Sequence, residues 1–280
     1  MRVEEPTAEL VAPRWDEAPS DEFHAATRNT STVKRFYKAH EIHYSAEVKE
    51  LTASAAEAMS VGSPTPLDGA LIDSPMPLFE AIRTRSSERA FSERSLSSSC
   101  LRSLLFHACG VRTTTSLADG TPVFRRNVAN SGNLGSCEVF LLTHDVDSVR
   151  PGIYHYDSLA GTVGLLKEGN FRTWLREFAL YQTELADAPL IIVLAGAVGR
   201  LKQKYGDRGY RLALIDVGHV SQNFYLVATA LGLAITATAG FIDEELDRAL
   251  DLDGLDDAAL LVMAVGHRST PVGTVPGGPS

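Results

Sequence analysis

Cysteine is scarce in this chain. Cys100, Cys109 and Cys137 are spread over 280 positions, with no Cys-x-x-Cys pair. An odd number without paired spacing argues against a disulfide framework or a zinc ribbon, and reads as free, buried thiols in a reducing cytoplasm. A basic excess is missing too: 26 Lys and Arg against 35 Asp and Glu leave a net charge of −9, which argues against a nucleic-acid surface. No apolar run reaches a membrane span uninterrupted; Leu212–Ala234 is broken by Asp216, His219, Gln222 and Asn223. Met1–Ser20 is acidic and lacks the apolar region of a signal peptide. These absences leave a cytoplasmic protein with neither nucleic acid nor membrane as partner. His40 and His43 flank Glu41, but no third clear ligand accompanies them, so a surface pair is expected and no metal.

What is present is 44% hydrophobic, enough for one domain with a sizeable core and an appendage. Residues 1–20, rich in Pro, Glu and Ala, read as a mobile N-terminal segment. Residues 21–75 read as a helical extension followed by a linker, with helical spacing between 28 and 60 and a Pro-, Gly- and Ser-dense stretch over Val61–Pro77. The main domain is placed at 76–268, and 269–280 is a flexible tail.

Within the domain, helical spacing predicts a helix over Ser95–Ala108, stopped at Gly110. Strands are predicted at Glu138–Thr143, Gly152–Tyr156 and Thr162–Leu166, the last two forming a hairpin. A helix follows at Phe171–Leu180 and a buried strand at Ala188–Val198. The long apolar segment Leu212–Ala234 predicts a helix buried on most faces. An acidic helix at Asp243–Leu250 and a strand at Leu260–Val265 close the domain. Helices and strands alternate without a βαβ repeat, which gives an α+β sandwich.

Four segments carry chemistry. In an extended chain Arg85, Ser87 and Arg89 of the run Arg85–Phe91 point to one side, a pattern suited to phosphate; a solvated basic turn explains the same residues. Arg125–Gly135 is a small-residue loop that lets a backbone approach a flat ring, or an ordinary connection. Thr236–Phe241, after the long helix, can line a ligand with backbone N–H groups or simply join two helices. Lys204–Arg211 is a basic, Tyr-containing turn at the mouth of that helix. Lys202, Arg208 and Arg211 surround Lys204 and Tyr205, and positive neighbours lower a lysine pKa and favour a phenolate, which readies either group to accept a proton. A surface loop balancing Asp207 is the alternative.

In this order the four segments resemble the flavin-dependent nitroreductase superfamily, and within it the McbC-like (SagB/ThcOx-type) azoline dehydrogenases. The resemblance covers about residues 76–268. Its most specific part is Arg200, then Lys204-Tyr205-Gly206-x-Arg208-Gly209-Tyr210-Arg211, then Gly218-His219-x-x-Gln222-Asn223. Gly152-Ile153-Tyr154-His155-Tyr156 is similar to the branch's hairpin. Two departures stand out: Ser86 replaces a usual second Arg, and Ala129-Asn130-Ser131-Gly132 replaces a Pro-Ser-Gly-Gly loop.

The resemblance implies a nitroreductase-like α/β sandwich with a central mixed or antiparallel sheet flanked by helices, and a long helix packed between the subunits of a homodimer. It implies FMN at that interface, contacted by Arg85, Ser86, Ser87, Arg89, Asn130, Ser131, Gly132, Ala239, Gly240 and Arg268. It assigns Lys204 and Tyr205 to catalysis: oxidation of a thiazoline or oxazoline to an azole in a ribosomally made, modified precursor peptide. A cyclodehydratase is a candidate partner. The rivals are another flavin oxidoreductase acting on a small molecule, and a non-catalytic member of a modification complex.

Overall fold

The structure, a computed structural model, describes residues 19–28 and 64–269 except 117, 119 and 121. At its centre runs β7 (Leu190–Ala197), buried at all eight positions. Every strand pairing around it is antiparallel, and the sheet has the order β1-β6-β5-β4-β7-β9-β8. The strands are β1 (Thr65–Pro66), β4 (Cys137–Thr143), β5 (Gly152–Asp157), β6 (Thr162–Glu168), β8 (Leu233–Thr238) and β9 (Asp257–His267). A separate hairpin joins β2 (Val111–Ser116) to β3 (Pro122–Arg126).

Alternation along the strands divides the core in two. Val139 and Leu141 of β4, with Ile192 and Leu194 of β7, face α3 (Ser98–Cys109) and α6 (Arg208–Ala230), where Leu101, Leu104, Leu105 and Phe224 pack. Phe140, Leu142, Ile191 and Val193 face the other way, toward Leu175, Leu246 and Leu250. Those residues belong to a short helix, α4 (Arg172–Trp174), that continues as a π-turn through Ala179, and to α7 (Asp243–Leu250). Helices on both faces explain why β7 reads as one unbroken apolar run although its pairings are antiparallel. The α+β sandwich expected from the sequence is the observed fold.

Several boundaries differ from the expectation. The long helix starts four residues earlier, at Arg208, and ends at Ala230, because Leu233 and Ala234 open β8. Thr236–Thr238 are therefore strand residues of the sheet edge rather than a connection between helices. The segment read as a linker is tied down from residue 65 onward. Thr65 and Pro66 pair with β6, Ser103 Oγ accepts from Ile72 N at 2.8 Å, and Ser74 Oγ donates to Ala230 O at 2.8 Å. A helix that the sequence pattern does not predict, α2 (Leu78–Thr84), follows it. Another, α1 (Pro19–Thr27), straddles the boundary drawn at residue 20. The helical pattern near 28–60, the His40–His43 pair and the tail beyond Ser269 lie outside the described residues.

The three cysteines are free, and burial pushes the Cys109 thiol up to about 12. Among the described residues no helix is long and apolar enough to cross a membrane, and no group of three or more His, Cys, Asp or Glu side chains could hold a metal ion.

Candidate active site

Lys204 and Tyr205 do not lie in a turn. They are the last two residues of α5 (Val198–Tyr205), and Gly206, at φ 57°, reverses the chain before α6 begins. Lys204 is only 4% exposed, and burial pushes its amine below the ordinary lysine value. Its Nζ stands 5.3 Å from the centre of the Tyr205 ring.

Neighbouring cations are not the cause of that shift. Arg208 and Arg211 turn toward α1 instead. Arg208 donates to Thr27 O at 2.9 Å, Arg211 donates to Thr27 Oγ1 at 2.6 and 3.1 Å, and Phe23 of α1 packs edge-on against Tyr210. Lys202 faces Asp256 at 3.7 Å.

The loop between β3 and β4 meets the end of α5. Gly132 has φ 62°, and a Cβ built on it would stand 2.6 Å from both Lys204 Nζ and Tyr205 Oη. The amine and the hydroxyl thus converge on one point of the loop, at most twice that distance apart. A short 3₁₀ turn over Ser131–Asn133 shapes this approach. Asn130 Oδ1 accepts from Gly135 N at 3.0 Å, and Leu134 is buried with Val198 and Leu201 of α5 and Ala213 of α6.

Two sets of buried polar groups hold this loop; of their members the sequence motifs include Arg200 and His155, without a role, while Asp216 and Glu138 are assigned none. Asp216 of α6 accepts from Ser131 N at 2.8 Å, from Ser131 Oγ at 3.0 Å and from Ser136 Oγ. Behind the loop, Arg200 donates to Gly135 O at 2.6 Å and to Glu138 Oε1 at 2.8 Å, while His155 Nε2 lies 3.0 Å from Glu138 Oε2. Burial raises the Glu138 carboxyl, but the His155 and Arg200 contacts outweigh it, and the net displacement is downward. A small cavity of about 30 Å³, room for one or two waters, lies among Arg126, Glu138, His155 and Asp216 with apolar neighbours such as Val128 and Val220. The signal in the sequence was available: an aspartate inside an apolar helix needs partners wherever that helix is buried.

The remaining candidates gather at the edge of the sheet. Arg85 lies over the Tyr225 ring at 5.4 Å, and Ser87 Oγ is 3.1 Å from Tyr225 Oη. That phenol oxygen also accepts from Ala237 N at 2.8 Å. Ser86 Oγ donates to Glu88 Oε1 at 2.6 Å, and Arg268 approaches the same oxygen at 3.1 Å. Arg89 and Ala239 are exposed. Gly240 N donates to Thr238 Oγ1 at 2.9 Å. On β8 the Thr236 hydroxyl is buried without a hydrogen-bond partner among the described residues.

The candidates thus form two groups within one chain. One centres on Asn130–Gly132 with Lys204 and Tyr205, the other on Arg85–Glu88 with Arg268. Both are tied to α6, at Asp216 and at Tyr225, nine residues or about 13 Å apart along the helix axis.

Comparison with known proteins gives the family. Residues 82–267 match the nitroreductase family. The chain belongs to that family, one of flavin-type oxidoreductases. A nitroreductase-named protein of Methanocaldococcus jannaschii, MJ1384, is 30% identical over 191 residues, 68% of this chain and 91% of its own. The microcin B17-processing protein McbC of Escherichia coli is 30% identical over 147 residues, 51% of this chain, and the chain spans only 54% of McbC. A chain in the structure of the E. coli microcin synthetase McbBCD complex with truncated pro-MccB17 bound shares the fold. Its TM-score is 0.55 at 24% identity, covering 87% of this chain and 99% of that one.

Proposed function

We propose that this nitroreductase-family protein is an FMN-dependent dehydrogenase that oxidises azoline rings to azoles in a ribosomally made peptide, working as a homodimer. The observation that carries the reading is the convergence of a buried amine and a phenol, Lys204 and Tyr205, on Gly132. The likeness to McbC supports the peptide as substrate and a modification complex as setting, in which we propose a cyclodehydratase as partner.

The residues present fit a flavin phosphate and ring. Arg85 and Ser87, both set by Tyr225, offer a guanidinium and a hydroxyl to a phosphate, with Arg89, Ser86 and Arg268 alongside. The Thr236 hydroxyl, buried without a hydrogen-bond partner among the described residues, marks a polar site on the neighbouring strand β8. Asn130, Ser131 and Gly132, and Ala239 and Gly240, are the backbone segments for the ring. Tyr210, Leu214 and Ile215 on α6 and Leu78, Phe79 and Ile82 on α2 leave apolar surface exposed, which suits a second copy of the chain. A second copy is also the economical way to bring the Lys204 group of one protomer to the Arg85 group of another.

Aromatising an azoline removes a hydride from one ring carbon and a proton from the next. Bound FMN supplies the two-electron acceptor for the hydride. The chain must take the proton. Lys204, biased toward its neutral form by burial, accepts it at Nζ, with the Tyr205 hydroxyl beside it. Gly132 keeps side-chain bulk away from both atoms.

The test begins with the absorbance spectrum and cofactor mass of the purified protein, followed by a search for a two-hydrogen mass loss on an azoline peptide. Lys204→Ala and Tyr205→Phe are each expected to lower azole formation by roughly 10²–10⁴-fold while the protein stays yellow. Full activity in both removes the catalytic assignment, and a protein that cannot be loaded with flavin removes the reading. MJ1384, matched over more of its length than McbC, favours a small-molecule reductase as the second reading. NADPH oxidation with a quinone acceptor separates the two.

A further inference from the structure

Asp216 is 1% exposed in the middle of α6. A buried carboxylate persists where hydrogen bonds replace its water. Its three donors all come from the β3–β4 loop: Ser131 N at 2.8 Å, Ser131 Oγ at 3.0 Å and Ser136 Oγ. Bonds to an ionised acceptor are about twice as strong as neutral ones. Ser131 is followed directly by Gly132, whose missing Cβ makes room for Lys204 Nζ and Tyr205 Oη. The same turn is therefore fixed from α6 at one residue and pressed against the end of α5 at the next. Leu134, fully buried, anchors the turn two residues on.

We propose that Asp216 is a positioning residue: it holds the Ser131–Ser136 loop down on the end of α5 and thereby keeps the Lys204 amine covered and next to the Tyr205 hydroxyl. Its importance for turnover rests on Lys204 and Tyr205 handling the proton. Its geometric role does not, and the two are tested separately. A residue serving fold stability alone would leave Lys204 as shielded as before in any variant that folds.

The experiment labels the amines of the full-length protein with trinitrobenzenesulfonate and reads each lysine by peptide mass spectrometry. Lys202, two residues away on the same helix and with an exposed side chain, is the internal reference. In the unaltered protein Lys204 is expected to react much more slowly than Lys202. In Asp216→Asn the Lys204 rate should rise by about tenfold relative to Lys202, the scale of one lost charge-assisted hydrogen bond. Should Asp216→Asn fail to fold, Ser131→Ala carries the same test, since it removes one hydroxyl donor and leaves α6 intact. An unchanged Lys204-to-Lys202 ratio in a folded variant overturns the proposal. Full azoline oxidation in both Lys204→Ala and Tyr205→Phe would remove the catalytic reading and leave the labelling result standing. An unchanged labelling ratio would remove the role of Asp216 and leave the catalytic reading standing.

Discussion

Gly132 sits against Lys204, with space for a hydrogen but not a methyl group: a Cβ there would stand 2.6 Å from Nζ. Gly132→Ala must therefore displace the amine, the loop or both. The residue also has φ 62°, a backbone region that costs a residue with a Cβ about 1–2 kcal/mol. The expected outcome is a melting temperature lowered by a few degrees and azole formation lowered by about tenfold or more, since a small misplacement of a catalytic group is expensive. Calorimetry and the mass assay check the two effects independently.

Burial of Lys204 sets a direction for the pH dependence of the rate. With the neutral amine as the proposed base, the rate is expected to fall as pH drops through its pKa. Because that pKa lies below the ordinary lysine value of 10.5, the limb should fall on the acid side of 10.5. A guanidinium stays protonated throughout, so Lys204→Arg should lose the limb along with roughly 10²–10⁴-fold of the rate. A pH–rate profile of both proteins decides it.

Tyr225 ties two segments of the edge group together, with Ser87 on one side and Ala237 N on the other. Tyr225→Phe leaves that amide without its acceptor, at a cost of about 1–3 kcal/mol. Flavin retention through gel filtration should fall in this variant, while the labelling ratio of Lys204 to Lys202 stays unchanged.

His144 gives a stability prediction separate from catalysis. Burial, reinforced by Arg172, holds its pKa at about 4, against 6.5 for the free side chain. Its Nδ1 lies 3.0 Å from Ala188 O. The unfolded chain therefore binds a proton first as pH falls. The contribution of neutral His144 to stability is complete above about 6.5 and is lost between 6.5 and 4 with a slope of about 1.4 kcal/mol per pH unit. His144→Gln should flatten that part of the curve, as followed by urea unfolding at a series of pH values.

Much of the sheet was legible because its strands are short apolar runs bounded by turn residues, and β4, β5, β6 and β7 fall within two residues of their predicted places. The end of α6 was not. Leu231-Gly232-Leu233-Ala234 is as apolar as the helix before it, and only the chain reversal at Gly232, at φ 71°, separates helix from strand. In the site, residue types pointed to Lys204 and Tyr205, but the cause of the amine's shift was misassigned to charge. The arginines that were adjacent in sequence face away on the next helix, and burial does the shifting. Asp216 was visible only as an interruption of an apolar run, since its partners lie 80 and 85 residues away.

The edge strand β8 brings a different consequence. It is last in the sheet, where unpaired backbone groups invite pairing with another chain. Here Glu88 N donates to Ile235 O at 2.9 Å, and Phe91 forms a bridge with Arg268 just past β9, so the segment from Arg85 to Phe91 meets that edge at Ile235. The stretch proposed to grip a phosphate thus covers part of a backbone edge that would otherwise be open to pairing. Substitutions that loosen it should be judged by colloidal behaviour as well as by ligand affinity, because a loss of soluble protein would otherwise pass for a loss of binding.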